Sequence, residues 1–491
     1  MFSGYATKKD TKNYFDFILE NFPDIKKETL YCDIKGLDFF PSRLGFGTYR
    51  THFLVKEHKD SLREAILSGI NVIDTASNYG DGASEILIGN VLKELIEANR
   101  IQRNQIILIT KGGYIQGKDL KIYLSKQYPD VLKISKDIYY CIHPDFLETQ
   151  IEISRKRLGV ETIDVYLLHN PEYLLKEKPT NQEYLKKIEE SLKFLEKKRE
   201  ENKIRYYGIS SNSLILPLEH KENINLLEIL KIAPPGFKVI QFPANLLETG
   251  YKESYYNSNS LIHLAKEHNL WTIGNRPFHA IYNNKLYRFS IPPTEFKSGE
   301  ENPEAIMMNM ENLLKVMETI FLDALSEKHF KFDEKYPSPY ETINFYKTQF
   351  EDLETTYSFL QNIIIPFQKT VSLIKFLLEE MLKENKLDSQ ILEVYYEYNK
   401  VLNYTLSFLP NFILYKNTLK MKKIEKQLEN YDEDLKNLPL NLQILFLLLN
   451  DKIHTILAGM RRILYVRQLQ KIYHIKIPER KIVAKNFISI I

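Results

Sequence analysis

An acid, a phenol, an ammonium and an imidazole stand where apolar runs of this chain end. Asp74 closes the run Val72-Ile73 inside Gly69-Ile-Asn-Val-Ile-Asp-Thr-Ala-Ser-Asn-Tyr-Gly-Asp-Gly-Ala-Ser-Glu85, and Tyr79 follows five residues later in a Gly/Asn/Ser-rich loop. Lys111 closes Ile106-Ile-Leu-Ile-Thr-Lys111, and His169 closes Ile163-Asp-Val-Tyr-Leu-Leu-His169. A carboxylate at a buried strand end and a phenol in the next loop make sense together if both face one cleft. The chemistry open to such a set is proton transfer to an oxygen that becomes negative. A free phenol has a pKa near ~10 and is a reluctant acid at neutral pH. A nearby ammonium favours the phenolate and lowers that value. Lys111 is expected to do this to Tyr79, with Asp74 keeping Lys111 charged and oriented. His169 would donate a hydrogen bond to the same oxygen.

Such a cluster needs elements that bring distant residues to one face. Strands are expected at Leu44–Gly47, Asn71–Asp74, Ile106–Lys111, Ile163–His169, Ile204–Ser210, Val239–Phe242 and Leu270–Asn275. Helical patterns lie between them near 57–68, 84–99, 144–158, 181–200, 214–231 and 257–268. Pro144 at a first-turn position and Thr180 ahead of residue 181 are start signals. Seven strand–helix repeats indicate a parallel sheet with right-handed crossovers, and one more pair would close a (β/α)8 TIM barrel. The active site of such a barrel sits at the C-terminal strand ends, where Asp74, Lys111 and His169 fall.

The eighth pair is displaced. From Ser290 to about Asn450 the pattern is only helical, with stretches Ile306–Leu325, Tyr340–Leu382 and Gln390–Leu440 broken at Pro337, Pro339, Pro366 and Pro410. Lys452–Met460 then reads as a strand and Leu464–Tyr473 as a helix. The expected domains are a helical extension over 1–28, barrel strands one to seven over 29–295, a long all-helical insertion over 296–450, and the last strand, the loop after it and a C-terminal helix over 451–491. A C-terminal appendage is the competing arrangement. Residues 29–42 hold two strand-like runs around Lys35-Gly36, an N-terminal hairpin.

Composition sets outer bounds. The 491 residues are 44% hydrophobic and 27% charged, with a net charge of +3, which gives no case for a nucleic-acid surface. Cys32 and Cys141 cannot make a disulfide framework, and nothing near them spaces like a metal site. A reducing, cytoplasmic location is the default. The N-terminal stretch lacks the apolar core of a secretory signal. The run Leu438–Leu449 is too short for a bilayer and reads as a buried helix.

The motifs together resemble the aldo-keto reductases. The resemblance covers roughly residues 29–282 and 452–475. It rests on the Gly69–Glu85 stretch, the two strands ending at Lys111 and His169, Leu147–Pro171, Tyr207-Gly-Ile-Ser-Ser-Asn212, Val239-Ile-Gln-Phe-Pro-Ala-Asn245 and Ile456-Leu-Ala-Gly-Met-Arg-Arg462. It implies a catalytic tetrad of Asp74, Tyr79, Lys111 and His169. It also implies an oxidoreductase that interconverts an aldehyde or ketone and an alcohol by hydride transfer, with NADPH as cofactor, NADH as the alternative, and no metal. Cofactor contacts carried over by the resemblance are Gly47, Thr48, Asn170, Ser210, Ser211, Gln241, Asn275, Arg276, Gly459, Arg461, Arg462 and Gln468. Arg461 and Arg462 would grip the adenosine 2′-phosphate.

Two departures stand out. Asn275 and Arg276 occupy the position where many relatives place an aromatic on the nicotinamide ring. Arg276 would substitute by stacking or by binding pyrophosphate. Trp271, on the seventh strand, is expected close to the nicotinamide. The absent aromatic and the insertion support a second reading, a catalytically weak sensor or scaffold protein. The insertion and the long loop Gly112–Ile142, with its tyrosines Tyr114, Tyr123, Tyr128, Tyr139 and Tyr140, are expected to shape the substrate pocket; a homo-oligomer interface through the insertion is the open alternative. The expected partner is a small carbonyl or alcohol molecule, with no nucleic acid and no membrane.

Overall fold

The computed structural model describes residues 1–117, 120–256, 259–283, 285–291, 302–327, 338–347, 364–383 and 389–482. Eight short strands close a barrel: β1 Leu44–Gly47, β2 Val72–Asp74, β3 Ile107–Gly112, β4 Ile163–His169, β5 Ile204–Ser210, β6 Phe237–Pro243, β7 Trp271–Asn275 and β8 Thr455–Gly459. Neighbours in space are neighbours in sequence, β8 returns to β1, and every pairing is parallel. The strands are Val/Ile/Leu-rich because both of their faces are buried; all seven residues of β4 are buried. Register sets the strand ends side by side: Gly47 lies between Asp74 and Gly459, His169 opposes Ser210, and Ser210 opposes Gln241.

The crossover helices follow their local signals. Pro144–Leu158 starts on proline and ends on Gly159, whose φ of 71° is a left-handed cap that glycine adopts at little cost. Asn181–Glu200 is capped by Thr180 and Glu183 in a reciprocal box. The expected helix over 214–231 is shorter, Leu226–Ile232, and is capped by Asn225. Pro217 and the polar run after it leave 214–225 in turns.

The closed end of the barrel is plugged from the N-terminal side. The expected hairpin is reduced to one antiparallel bridge, Tyr31 with Ser42. Ile34, Leu37 and Phe39 pack beneath it against Val72, Ile107, Val165, Val239 and Trp271. Trp271 is the first residue of β7, edge-on to Phe39 at 5.7 Å, and its indole N–H donates to Thr455 Oγ1 at 3.0 Å. It therefore sits at the closed end, away from Asn275, and not close to the nicotinamide position as expected.

Two compact units divide the chain: Met1–Ala280 with Tyr431–Ile491, and Ile281–Asn430. The second falls in sequence between β7 and β8. Its helices are Pro303–Ser326, Pro339–Lys347, Ile365–Lys383 and Ser389–Glu429, around a core that includes Leu314, Phe321, Phe367, Tyr398 and Leu409. Pro410 does not break the last of these helices, as the sequence reading expected. The flanking Leu409, Phe412 and Ile413 are buried in that core and hold the helix through the proline. Pro339 opens a helix, and Pro366 is the second residue of one. Pro337 and residues 348–363 of the expected stretch lie outside the described residues.

The limits of the second unit differ from the expected 296–450. Helix Leu440–Asn450 is buried at nearly every position and belongs to the barrel's unit. No helix among the described residues is long and apolar enough to cross a membrane.

Candidate active site

β2 and β3 carry the electrostatic centre. Lys111 is fully buried, and its Nζ donates to Asp74 Oδ1 at 2.7 Å and to the Thr75 carbonyl at 2.8 Å. Gln241 Nε2, from β6, donates to the other Asp74 oxygen at 2.9 Å. Burial pushes the Asp74 carboxyl up and the Lys111 ammonium down, and each partner's charge opposes the shift of the other. Such a pair persists because its ends are mutually satisfied.

Tyr79 sits above this pair. The loop that holds it continues the barrel's ladder: Thr75 N–H donates to Ile109 O, and Ser77 N–H to Lys111 O. Gly80, Asp81 and Gly82 then all take positive φ, 56°, 55° and 87°, which turns the chain sharply into helix Ala83–Glu97. Arg157 spans the turn, donating to Ser77 O and pairing at 3.4 Å with Glu85, a buried carboxylate that also accepts from Thr110. The Lys111 ammonium is 5.2 Å from the centre of the Tyr79 ring, and the His169 ring is 6.0 Å from it. The four tetrad residues are thus brought together from β2, its loop, β3 and β4.

One expectation is reversed. Burial is the largest influence on the Tyr79 phenol and pushes its pKa well above the ordinary value, with the Asp74 charge and Tyr49 acting in the same direction. The Arg276 charge is the influence that acts against this rise, while the Lys111 ammonium faces Asp74 at 2.7 Å. His169 is moved the other way: burial first, and then the Lys111 charge, hold its pKa well below 6.5, so its imidazole is neutral at physiological pH. Its Nδ1 is buried with no partner among the described residues.

The strand ends next to the tetrad form a polar shelf. Ser210 Oγ donates to Gln241 Oε1 at 2.9 Å, and Asn275 Nδ2 donates to the same oxygen at 3.3 Å. Ser211 Oγ contacts Ser213 Oγ at 3.0 Å. Asn170, at φ 52°, donates from Nδ2 to Tyr114 OH at 2.6 Å. On the other side, Thr48 donates to the Asp74 carbonyl through both N and Oγ1. Arg276 donates to Glu248 Oε1 at 2.7 Å, so its guanidinium is already paired. Past β8, Gly459 is exposed with nothing within 4 Å of a Cβ there; Arg461 and Arg462 are also exposed, and Arg462 is 3.7 Å from Glu57. Gln468 is half-buried on helix Ile463–Leu469.

Several neighbours were not singled out from the sequence. Tyr49, two residues past β1, packs edge-on to Tyr79 at 5.2 Å; its place in a loop after a strand end was the available signal. Tyr114 lies 4.9 Å from the His169 ring and was named only among five loop tyrosines. That loop is not irregular: Tyr114–Gln116, Leu132–Lys133 and Ile138–Tyr140 form a small antiparallel sheet. Glu172 accepts from Asn212 N–H at 3.0 Å, and burial raises its carboxyl to about 7. No group of His, Cys, Asp and Glu among the described residues could hold a metal ion.

The profile of the Aldo/keto reductase family matches residues 43–342, more than half of the chain. The chain belongs to the aldo/keto reductase family. It is 33% identical over 110 residues to the NADH-specific methylglyoxal reductase of Escherichia coli, covering 22% of this chain and 30% of that protein. It is 30% identical over 183 residues to an aldo-keto reductase of Schizosaccharomyces pombe designated for NADP(+), covering 36% and 44%. Among solved structures, the glycerol dehydrogenase of Gluconobacter oxydans is 23% identical with a TM-score of 0.36, covering 51% of this chain and 64% of that one. The matches span 30% to 56% of the lengths of curated relatives such as these.

Proposed function

We propose that this aldo/keto reductase is an NADPH-dependent oxidoreductase that interconverts a small aldehyde or ketone and its alcohol, with Tyr79 as general acid and base. The observation that carries this reading is the buried Lys111–Asp74 pair beneath the Tyr79 ring, with neutral His169 beside it. The nicotinamide, when bound, supplies or accepts the hydride.

The protein's own groups divide the remaining work. Burial keeps Tyr79 protonated at neutral pH, so it holds its proton until a negative oxygen develops nearby. The Lys111 ammonium then stabilises the phenolate that remains, without a net charge having been buried beforehand. His169, neutral and aromatic-packed, orients the carbonyl oxygen by hydrogen bonding. In the alcohol-oxidising direction the same phenolate takes the proton back. General-acid assistance of this kind is worth ~10²–10⁴-fold.

The catalytic face fits the cofactor on its own polar atoms. Asn275 Oδ1, Arg276 Nε and His169 Nδ1 are buried and have no partner among the described residues. Asn170, Ser210, Ser211, Gln241 and Asn275 would hold a carboxamide, which needs donors and acceptors on adjacent strand ends. Gly47 and Thr48 would border it from β1. Arg461 and Arg462, beside the open Gly459, would hold the 2′-phosphate, and Gln468 would border the adenine. Arg276, tied to Glu248, would take a phosphate oxygen through its free Nε rather than stack.

Steady-state turnover of a broad aldehyde panel with NADPH tests the reading. Turnover that Tyr79→Phe removes supports it. A wild-type chain that binds NADPH but turns over nothing returns the sensor reading to the front.

A further inference from the structure

Within the barrel's unit there is a cavity of about 300 Å³ away from the tetrad. Its wall includes Thr272, the second residue of β7, and His454, which precedes β8; the catalytic ends of those strands are Asn275 and Gly459. Lys252, Lys266, Lys452 and Lys481 surround it. The volume is at the lower end of small-molecule sites, ~300–1,000 Å³.

The charged groups of the lining are mostly cationic: four lysines against one carboxylate. Asp451, its one carboxylate, is already engaged, accepting from Tyr251 OH at 2.7 Å and Lys252 Nζ at 3.1 Å. His263 is matched by Glu267 at 3.2 Å. Lys266, Lys452 and Lys481 pair with no carboxylate among the described residues. The tautomer of His454 is set by its neighbour: Thr272 N–H donates to His454 Nδ1 at 3.2 Å, and Thr272 Oγ1 lies 2.8 Å from the same atom. An Nδ1 that accepts a backbone N–H carries no proton, so the ring's proton is on Nε2. Burial and Arg43 push this imidazole down to about 4, which keeps it a neutral N–H donor at pH 7. Nε2 has no partner among the described residues.

Three exposed lysines without a carboxylate partner among the described residues and one fixed N–H line a space large enough for several heavy atoms. Like charges gathered this way repel one another, and the repulsion is relieved by a multiply charged anion that accepts from all of them. We propose that this cavity binds a small phosphoryl-bearing anion, held by Lys266, Lys452, Lys481 and His454 Nε2–H. The site shares no residue with the tetrad or the cofactor shelf, so it stands apart from the function proposed above.

Calorimetric titration of the full chain with inorganic diphosphate tests it. The companion variant combines Lys266→Gln with Lys452→Asn; asparagine suits the φ of 68° at position 452. One saturable site is expected, weakened on the order of tenfold in the variant because two ion pairs from exposed lysines are lost, with NADPH affinity unchanged. Flotation with phosphatidylcholine vesicles containing phosphatidic acid separates two sources of the phosphoryl group. Vesicle binding that diphosphate competes away assigns it to a lipid headgroup; diphosphate binding without vesicle binding assigns it to a free molecule. Absence of saturable diphosphate binding, or equal affinity in the variant, overturns the proposal.

Discussion

Replacing Asp74 with asparagine isolates the ion pair on which the site depends. The change is nearly isosteric but leaves the Lys111 ammonium, fully buried, with neutral acceptors only. Breaking a buried pair from one side typically costs ~3–5 kcal/mol. The upper limit follows from linkage. If Lys111 escapes the penalty by losing its proton, the cost at pH 7 is that of deprotonating a lysine whose unfolded pKa is ~10.4, or about 4.6 kcal/mol. Burial already lowers the Lys111 pKa, and Asp74 is the main influence raising it, so the variant moves further down. Between that lowered folded pKa and ~10.4 the unfolded chain binds more protons than the folded one, so stability rises with pH. At pH 9.5 the same cost falls to about 1.2 kcal/mol. The variant's deficit should therefore shrink on going from pH 7 to pH 9.5. Urea unfolding followed by tryptophan fluorescence measures it cleanly, because Trp271 is the chain's one tryptophan and is buried in the barrel. The second unit stays silent. A deficit under ~1 kcal/mol that is equal at both pH values would refute the claim that Asp74 holds Lys111 as a buried cation.

Further predictions use independent readouts. Tyr79→Phe should lower kcat ~10²–10⁴-fold and leave the NADPH dissociation constant within about twofold, since the role proposed for the phenol is on the substrate oxygen; fluorescence titration alongside kinetics checks both. That titration should follow NADPH emission, because Trp271 lies at the closed end of the barrel. His169 should contribute no limb near pH 6.5 to the kcat/KM profile, since it is neutral well below that value; a limb there that vanishes in His169→Gln contradicts this. Arg461→Ala with Arg462→Ala should weaken NADPH roughly tenfold or more and leave NADH nearly unchanged. The depressed pKa of His454 contributes stability that is present above ~6.5 and lost progressively as pH falls towards about 4. His454→Asn, measured by thermal unfolding at pH 7 and pH 4.5, should show a smaller pH-dependent loss than the wild type.

The parts of the site that could be read from sequence are those written along one strand. Asp74, His169 and Ser210 each end a strand and Lys111 is one residue from the end of its own, and a parallel barrel brings all such ends to one face whatever the helices do. What depends on packing between strands was not readable. The Tyr79 phenol is governed first by burial and then by the Asp74 charge, and both depend on how β2, its loop and the neighbouring strands pack. Trp271 opens and Asn275 closes one five-residue strand, so strand direction alone puts the indole at the closed end; the expectation that it lies near the nicotinamide used strand membership without direction. Helix Leu440–Asn450 is apolar on all sides, so its pattern carries no direction, and only the fold assigns it to the barrel's unit. That assignment changes the useful deletion. Removing 296–450 would strip the barrel of a buried helix and test folding instead of function. Replacing residues 291–430 with a short linker keeps Leu440–Asn450 and β8. If the second unit shapes the substrate pocket, this shortened chain should fold, bind NADPH as before and show an altered range of aldehydes. An unchanged range with a smaller subunit count by light scattering would instead make the unit an assembly surface.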